Sequence, residues 1–291
     1  MKSSGMNSFS TIADIRQQVL AWKRQGLKVG FVPTMGNLHA GHLSLVELAQ
    51  QQADKVVVSV FVNPLQFGPN EDFEQYPRTL EADQAALEAV GCDALFAPSV
   101  DEMYPEGALQ TRVCASPELA NILEGAQRIG HFDGVTTVVA KLFNIVQPDL
   151  AVFGQKDYQQ FLVIEQMVKD LSFAVELVRA PIARDQDGLA LSSRNQYLSS
   201  EQRAIAPLLY QQLQQLRSQI PPLLEKGDFT QVKSLLAQAK QSLLAAGFDQ
   251  VDYLSLHDAK NLKKCSSNSH SCILLAVARL GQTRLLDNIL V

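Results

Sequence analysis

The stretch "LKVGFVPTMGNLHAGHLSL", Leu27 to Leu45, decides the fold. Its opening, "LKVGFVP" (Leu27–Pro33), is a β-branched apolar run that reads as a strand, and "HLSLVELAQQQA" from His42 reads as an amphipathic helix. Between them stand Gly36 and Gly41 and two of the chain's five histidines, His39 and His42. A strand handing over directly to a helix is the first half of a βαβ unit.

Working outward, the same alternation continues. "DKVVVSVFVNP" is a near-continuous apolar run that suits a strand covered on both faces. "RTLEADQAALEAVG" reads as a helix, "CDALFAPS" as a strand, and "DGVTTVVAKLFNIVQ" as a helix stopped by Pro148. "DLAVFG" (strand), "YQQFLVIEQMVKDL" (helix) and "FAVELVRAP" (strand) complete the series. Strands and helices alternating at these lengths predict a parallel α/β sheet.

The pattern changes near Arg184. "ARDQDGLALSSRNQYLSS" is turn-rich, and "SEQRAIAPLLYQQLQQLRSQI" reads as one helix opened by a capping box of Ser199 and Gln202. A second helix is expected over about 229–246, then "VDYLSL", "CILLAVARL" and "TRLLDNILV" as strands. Helices followed by consecutive strands predict a separate α+β domain with an antiparallel sheet. The expected division is 1–183 and 184–291.

Composition narrows the function. The chain has 291 residues, 46% hydrophobic and 19% charged, the balance of a globular protein with ample core. A net charge of -5 argues against nucleic-acid or anionic-membrane partners, which want a basic footprint. No run approaches the roughly 18 apolar residues of a membrane span, and the N-terminus lacks the apolar core of a signal peptide. Cysteines at 92, 114, 265 and 272 form no CxxC pair, and such usage reads as reduced thiols in a cytoplasmic enzyme.

Parallel α/β sheets bind ligands outside the carboxyl ends of their strands, and a helix N-terminus there presents free N–H groups and a positive dipole end to phosphate. His39 and His42, three apart, share one side of that helix. The dipole disfavours an imidazolium by about 0.3–1 kcal/mol. A phosphate charge about 4 Å away favours it by roughly 4 kcal/mol at an effective dielectric near 20. The expectation is therefore neutral rings that become cationic donors when nucleotide arrives. Metal ligation by the pair lacks a carboxylate or cysteine partner nearby. A P-loop is excluded, because His42 and Leu43 stand where Lys and Ser/Thr are required. His131, His257 and His270 read as structural hydrogen-bonders or site residues with no local signal to decide. "KKCSSNSHSC" offers zinc only three ligands, Cys265, His270 and Cys272.

HxGH after a first strand resembles the nucleotidylyltransferase superfamily that includes class I aminoacyl-tRNA synthetases. "FVPTMGNLHAGH", "VSVFVNPLQFGPNEDFEQYPRTLEAD", "ILEGAQRIGHFDGV", "VFGQKDYQQ", "DGLALSSRN" and "ILLAVARLGQTRLLDNI" together, in order, resemble the pantothenate synthetase family along most of the chain. The resemblance implies a Rossmann-like domain (1–183) binding ATP and pantoate, with a smaller α+β lid (184–291). It implies condensation of (R)-pantoate with β-alanine through a pantoyl adenylate, yielding AMP and pyrophosphate, by a cytoplasmic homodimer using Mg²⁺ with its ATP. No protein nucleophile is required, in keeping with the absence of a GxSxG elbow.

The same resemblance assigns roles. The nucleotide loop is Met35, Gly36, Asn37, Leu38, His39, Ala40, Gly41 and His42, with His42 the best donor to a phosphate oxygen and His39 beside it. Lys156 supplies a point charge, and Gly154, Gln155 and Asp157 accompany it at the nucleotide. Leu191, Ser192, Ser193 and Arg194 match a mobile phosphate-binding loop whose arginine can fork two oxygens, and Ala183 lies by the adenine. Gln66 and Gln160 hold pantoate, because a neutral amide donates without trapping a charged intermediate in an ion pair. Asn63, Tyr76, Glu124 and Arg128 form a supporting shell. Asp83 is a conceivable neighbour of Mg²⁺ but not an assigned ligand. Two alternatives stay open, a transferase whose product keeps the nucleotide and a non-catalytic nucleotide-binding protein.

Overall fold

A computed structural model describes residues 5–69, 71–107, 111–266 and 269–291 of the chain. They divide into two compact units, one comprising 1–154 and 160–180, the other 155–159 and 181–291.

The first unit holds strands β1 (Asn7–Phe9), β2 (Val29–Thr34), β3 (Lys55–Val60), β4 (Ala94–Phe96), β5 (Leu150–Gly154) and β6 (Glu176–Ala180). They form one parallel sheet in the order β1-β4-β3-β2-β5-β6. Helices α1 (Ile12–Arg24), α2 (Ala40–Gln50) and α3 (Leu80–Ala89) are followed by three short ones, α4 (Val100–Met103), α5 (Pro117–Ala120) and α6 (Leu123–Gln127). The long α7 (His131–Val146) precedes β5, and α8 (Tyr158–Asp170) precedes β6. Val32, Val56, Val58, Leu95, Leu150 and Val152 pack with Leu45, Val46 and Ala49 of α2 and Leu87 of α3. Phe143 of the almost wholly buried α7 meets Phe31 and Phe153 edge-on at 6.4 Å each. Burial on both faces explains the unbroken apolar runs of β3 and β5.

Successive strands run outward from β2 through β3 to β4, and the order then reverses to β5 on the other side of β2. The switch point of the sheet therefore lies between β2 and β5, where such sheets bind ligands. Neither β1 nor α1 follows from the strand-and-helix alternation. β1 is a three-residue exposed edge strand. Helix α1 does carry a signal, Thr11 capping Asp14 and a buried stripe of Ile15, Val19 and Trp22.

In the second unit, α9 (Ser200–Ile205), α10 (Leu208–Gln219), α11 (Pro221–Glu225) and α12 (Phe229–Ala245) accompany an antiparallel sheet of β7 (Gln250–Asp258), β8 (Cys272–Leu280) and β9 (Thr283–Leu290), β8 central. Leu209, Leu213 and Leu216 of α10 and Leu243 of α12 pack with Leu274, Ala276, Leu285 and Ile289. The capping box at Ser199 forms as expected, both members bonded. The single helix expected from 199 onward does not. It breaks into α9 and α10 at Pro207, which has no N–H to continue the ladder.

The reduced-thiol expectation is corrected for one pair: Cys265 and Cys272 form a disulfide, leaving Cys92 and Cys114 free. Lys264 bridges to His257 while Cys272 pairs with Asp258, so the 264–272 connection returns to neighbouring rungs of β7. That return brings the cysteine Cα atoms to 6.2 Å, within bonding range. Residues 267–268 of the serine-rich tract lie outside the described residues.

Candidate active site

The loop Met35–His39 leaves the carboxyl end of β2 and enters α2 with His39 as N-cap. His39 Nδ1 accepts the Gly41 N–H at 3.1 Å, and His42 Nδ1 accepts the His39 N–H at 3.4 Å. The two rings lie 4.1 Å apart. This is a capping box built from imidazoles in place of the usual Ser and Glu. With Nδ1 serving as acceptor in each ring, the proton sits on Nε2 and both rings are neutral. An imidazolium would set an N–H against an N–H and break the cap. Neutral rings are the state expected before nucleotide arrives, each carrying its proton on Nε2 at a helix N-terminus.

Gly36 has φ +83°, and a Cβ there would lie 2.9 Å from both Asp83 Oδ2 and Val60 Cγ1. The close approach has a purpose. Asp83, 2% exposed on α3, accepts the N–H of Asn37 at 3.0 Å and of Leu38 at 2.7 Å, and Thr79 Oγ1 at 3.2 Å. Its carboxylate fixes the turn that delivers His39, a role no sequence spacing discloses.

Gln66 sits on a 3-10 turn, Pro64–Gln66, beyond β3. Its amide donates to Met35 Sδ at 2.8 Å and accepts from Asn63 Nδ2 at 3.2 Å. Asn63, 1% exposed, also donates to Gly134 O at 3.1 Å and accepts from Tyr104 Oη at 2.8 Å. The Gln66 carbonyl accepts from His131 Nδ1 at 2.8 Å and from Arg128 at 3.4 Å. Arg128 also faces His131 Nε2 at 3.0 Å, so His131 is neutral with its proton on Nδ1. Burial, with the Arg128 charge beside it, pushes the His131 imidazole down to about 4. Burial would raise the Glu71 carboxyl, but Arg128, bonded to it at 2.6 and 2.7 Å, holds it below its ordinary range. Tyr76 packs edge-on against Phe67 at 5.8 Å, and Glu124 is buried. Gln160 is half-buried on the first turn of α8. His131 belongs to the Gln66 surroundings although nothing local distinguished it from the other histidines.

Gly154 closes β5 in the first unit, while Gln155, Lys156 and Asp157 form a 3-10 turn in the second. Lys156 Nζ lies 3.4 Å from Asp157. The Leu191 N–H donates to Ala183 O at 2.9 Å, closing a turn bridged by Arg184 and Ala190. Ser192 caps the following 3-10 turn, accepting the Arg194 N–H at 3.3 Å, and Ser193 opens that turn. Arg184 binds Asp287 through both nitrogens at 2.7 Å and stacks 3.6 Å over Tyr210. Burial pushes the Asp287 carboxyl above its usual range against that pull. Lys156, Ser192, Asn195 and Asp287 line one small cleft of the second unit.

The family model for pantoate-beta-alanine ligase matches residues 7–290. The chain belongs to the pantoate-beta-alanine ligase family. A pantothenate synthetase of Hydrogenovibrio crunogenus is 56% identical over 281 residues, 97% of this chain and 98% of that one. The crystal structure of pantothenate synthetase from Thermus thermophilus superposes with a TM-score of 0.85 at 47% identity, covering 98% of this chain and 99% of that one. The Francisella tularensis pantoate-beta-alanine ligase, solved with an ATP compound and β-alanine, matches at TM-score 0.79 and 36% identity over 98% of both chains. Such full-length likeness makes this chain a ligase with a Rossmann-like parallel sheet and a smaller α+β portion.

Proposed function

We propose that this chain joins (R)-pantoate to β-alanine at the cost of ATP, through a pantoyl adenylate. Membership of the ligase family carries the activity. The observation that supports the site is the paired-imidazole cap at the β2 carboxyl end, which sets two neutral rings beside a helix N-terminus. In the first step a pantoate carboxylate oxygen attacks the α-phosphorus and pyrophosphate leaves. In the second the β-alanine nitrogen attacks the acyl carbon, gives up a proton, and AMP leaves with the carboxylate oxygen.

His42 and His39 donate to phosphate oxygens as negative charge builds in the first step. Lys156, Ser192, Ser193 and Arg194 neutralise the phosphates, and Arg194 can fork two oxygens. Met35 to Gly41, Gly154, Gln155, Asp157, Ala183 and Leu191 hold the nucleotide. Gln66 and Gln160 orient pantoate through neutral amides, so the adenylate is not trapped by an ion pair. In this reading residues 1–183 form the ATP- and pantoate-binding domain and 184–291 the lid.

Mg²⁺ accompanies ATP. Among the described residues no three His, Cys, Asp or Glu side chains gather as a metal site. Asp83, with its oxygens committed to backbone N–H groups, does not fit as a ligand. In this reading the ion would be held largely by the phosphate oxygens of ATP and by water. No helix among the described residues is long and apolar enough to cross a membrane. Use of ATP supports a cytoplasmic setting, while the paired cysteines remove the thiol argument for it. We expect a homodimer, checked by sedimentation, and no nucleic-acid partner at a net charge of -5.

Pantoate labelled with ¹⁸O in its carboxylate tests the mechanism. One labelled oxygen in AMP is expected; unlabelled AMP would rule out the acyl adenylate.

A further inference from the structure

Among the buried polar residues of the last strand, the adjacent pair Asp287 and Asn288 is used by no catalytic step. Asn288, 1% exposed, spends its whole amide on the turn that bears Lys156. Its Nδ2 donates to Gln155 O at 2.9 Å and to Lys156 O at 3.0 Å, and its Oδ1 accepts from Gln155 Nε2 at 3.2 Å. Both amide hydrogens and one lone pair thus go to a single tight turn of three residues. Its own N–H is taken by Asp287 Oδ1 at 2.7 Å, and Asp287 holds Arg184, which donates to Gly188 O at 3.0 Å. Adjacent residues of β9 therefore tie down the 155–157 turn and the 184–190 turn that leads to Ser192.

We propose that Asn288 is a positioning residue for Lys156, setting where its ammonium sits by clamping the carbonyls of the two peptide groups that flank Lys156. The inference rests on the phosphate role given to Lys156 above. The chemistry is specific to an amide. A carboxylate would face two carbonyl oxygens with lone pairs, and an alanine would take this donor away from both. A lysine is a flexible point charge, so a fixed backbone beneath it is what gives that charge a defined place. Asn288 touches no substrate and acts only through the turn.

The test is a double-mutant cycle on the full chain, read by pantoate-dependent exchange of pyrophosphate into ATP, which reports the adenylation step alone. Asn288→Ala is expected to slow exchange about 100-fold, the cost of a misplacement near 1 Å, while KM for β-alanine in the complete reaction stays within twofold. In a Lys156→Ala background the same change is expected to cost less than about threefold, because the lysine it positions is gone. Asn288→Ser, which keeps one donor, is expected to fall between the wild type and Asn288→Ala, and it carries the same cycle should the alanine variant fail to fold. An equal loss in both backgrounds would overturn the inference, as would exchange at the wild-type rate in Asn288→Ala. A wild-type chain with no pantoate-dependent exchange would instead sink the functional reading on which the inference stands.

Discussion

Replacing Gly134 by alanine isolates the packing that delivers Gln66. Gly134 lies in the first turn of α7, where a Cβ would fall 2.2 Å from Leu65 O, 2.5 Å from Leu65 C and 2.7 Å from Gln66 Cα. All three are backbone atoms, so no side chain can swing aside. Reaching an ordinary contact near 3.5 Å requires helix and turn to part by about 1 Å. The 3.1 Å bond from Asn63 to Gly134 O lies across that gap and weakens with it. Overpacking costs about 1–3 kcal/mol, and a lost hydrogen bond adds about 1 kcal/mol. Alanine's better helix propensity returns up to about 1 kcal/mol, so the clash wins and the net loss is about 1–3 kcal/mol. With Gln66 in its proposed pantoate-holding role, a shift near 1 Å there is expected to lower kcat/KM for pantoate by about 100-fold. Urea unfolding and initial rates of pyrophosphate release against pantoate concentration measure both effects. A Gly134→Ala chain within about 0.5 kcal/mol and twofold of the wild type would refute the close-approach argument.

Further consequences concern charge and covalent state. Asp83→Ala leaves the Asn37 and Leu38 N–H groups without their acceptor. It should destabilise the chain by about 2 kcal/mol or more and lower kcat/KM for ATP at least tenfold, with Asp83→Asn intermediate in melts and rates. His131, depressed from 6.5 to about 4, is neutral when folded over a range where the unfolded chain binds a proton. Its contribution is therefore full above pH 6.5 and falls away as pH drops towards 4, by up to about 3 kcal/mol. His131→Gln should flatten stability against pH across that window; an unchanged acid limb would contradict the buried neutral ring. Thiol titration of the denatured, unreduced protein should count the two free cysteines, Cys92 and Cys114, and four reactive thiols would contradict the 265–272 pairing.

What could be read in the sequence was what local chemistry encodes. The parallel sheet followed from apolar runs whose burial on both faces removes alternation, and β2, β3 and β5 lie within those runs. His39 and His42 stood out because glycines and histidines at a strand-to-helix junction have a direct physical meaning. Pro207 was equally visible, yet the apolar periodicity on both sides of it outweighed its missing N–H in the reading of a single helix. Other features depend on residues distant in the chain. Asp83 reaches back 46 positions to Asn37, His131 reaches 65 to Gln66, and Asn288 reaches 133 to Gln155. No pattern around any of the three marks it, because the partner is supplied only by the fold. The backbone N–H groups that claim each Nδ1 of the histidine pair likewise appear only when the turn is built.

The central claim is amide ligation driven by AMP formation. It is tested most directly by following AMP, pyrophosphate and amide product with ATP, Mg²⁺, (R)-pantoate and β-alanine, omitting one organic substrate at a time. Equal amounts of AMP and pantothenate, formed only when both acids are present, are predicted. A product that retains the nucleotide, or no turnover with ATP still bound, would contradict the account.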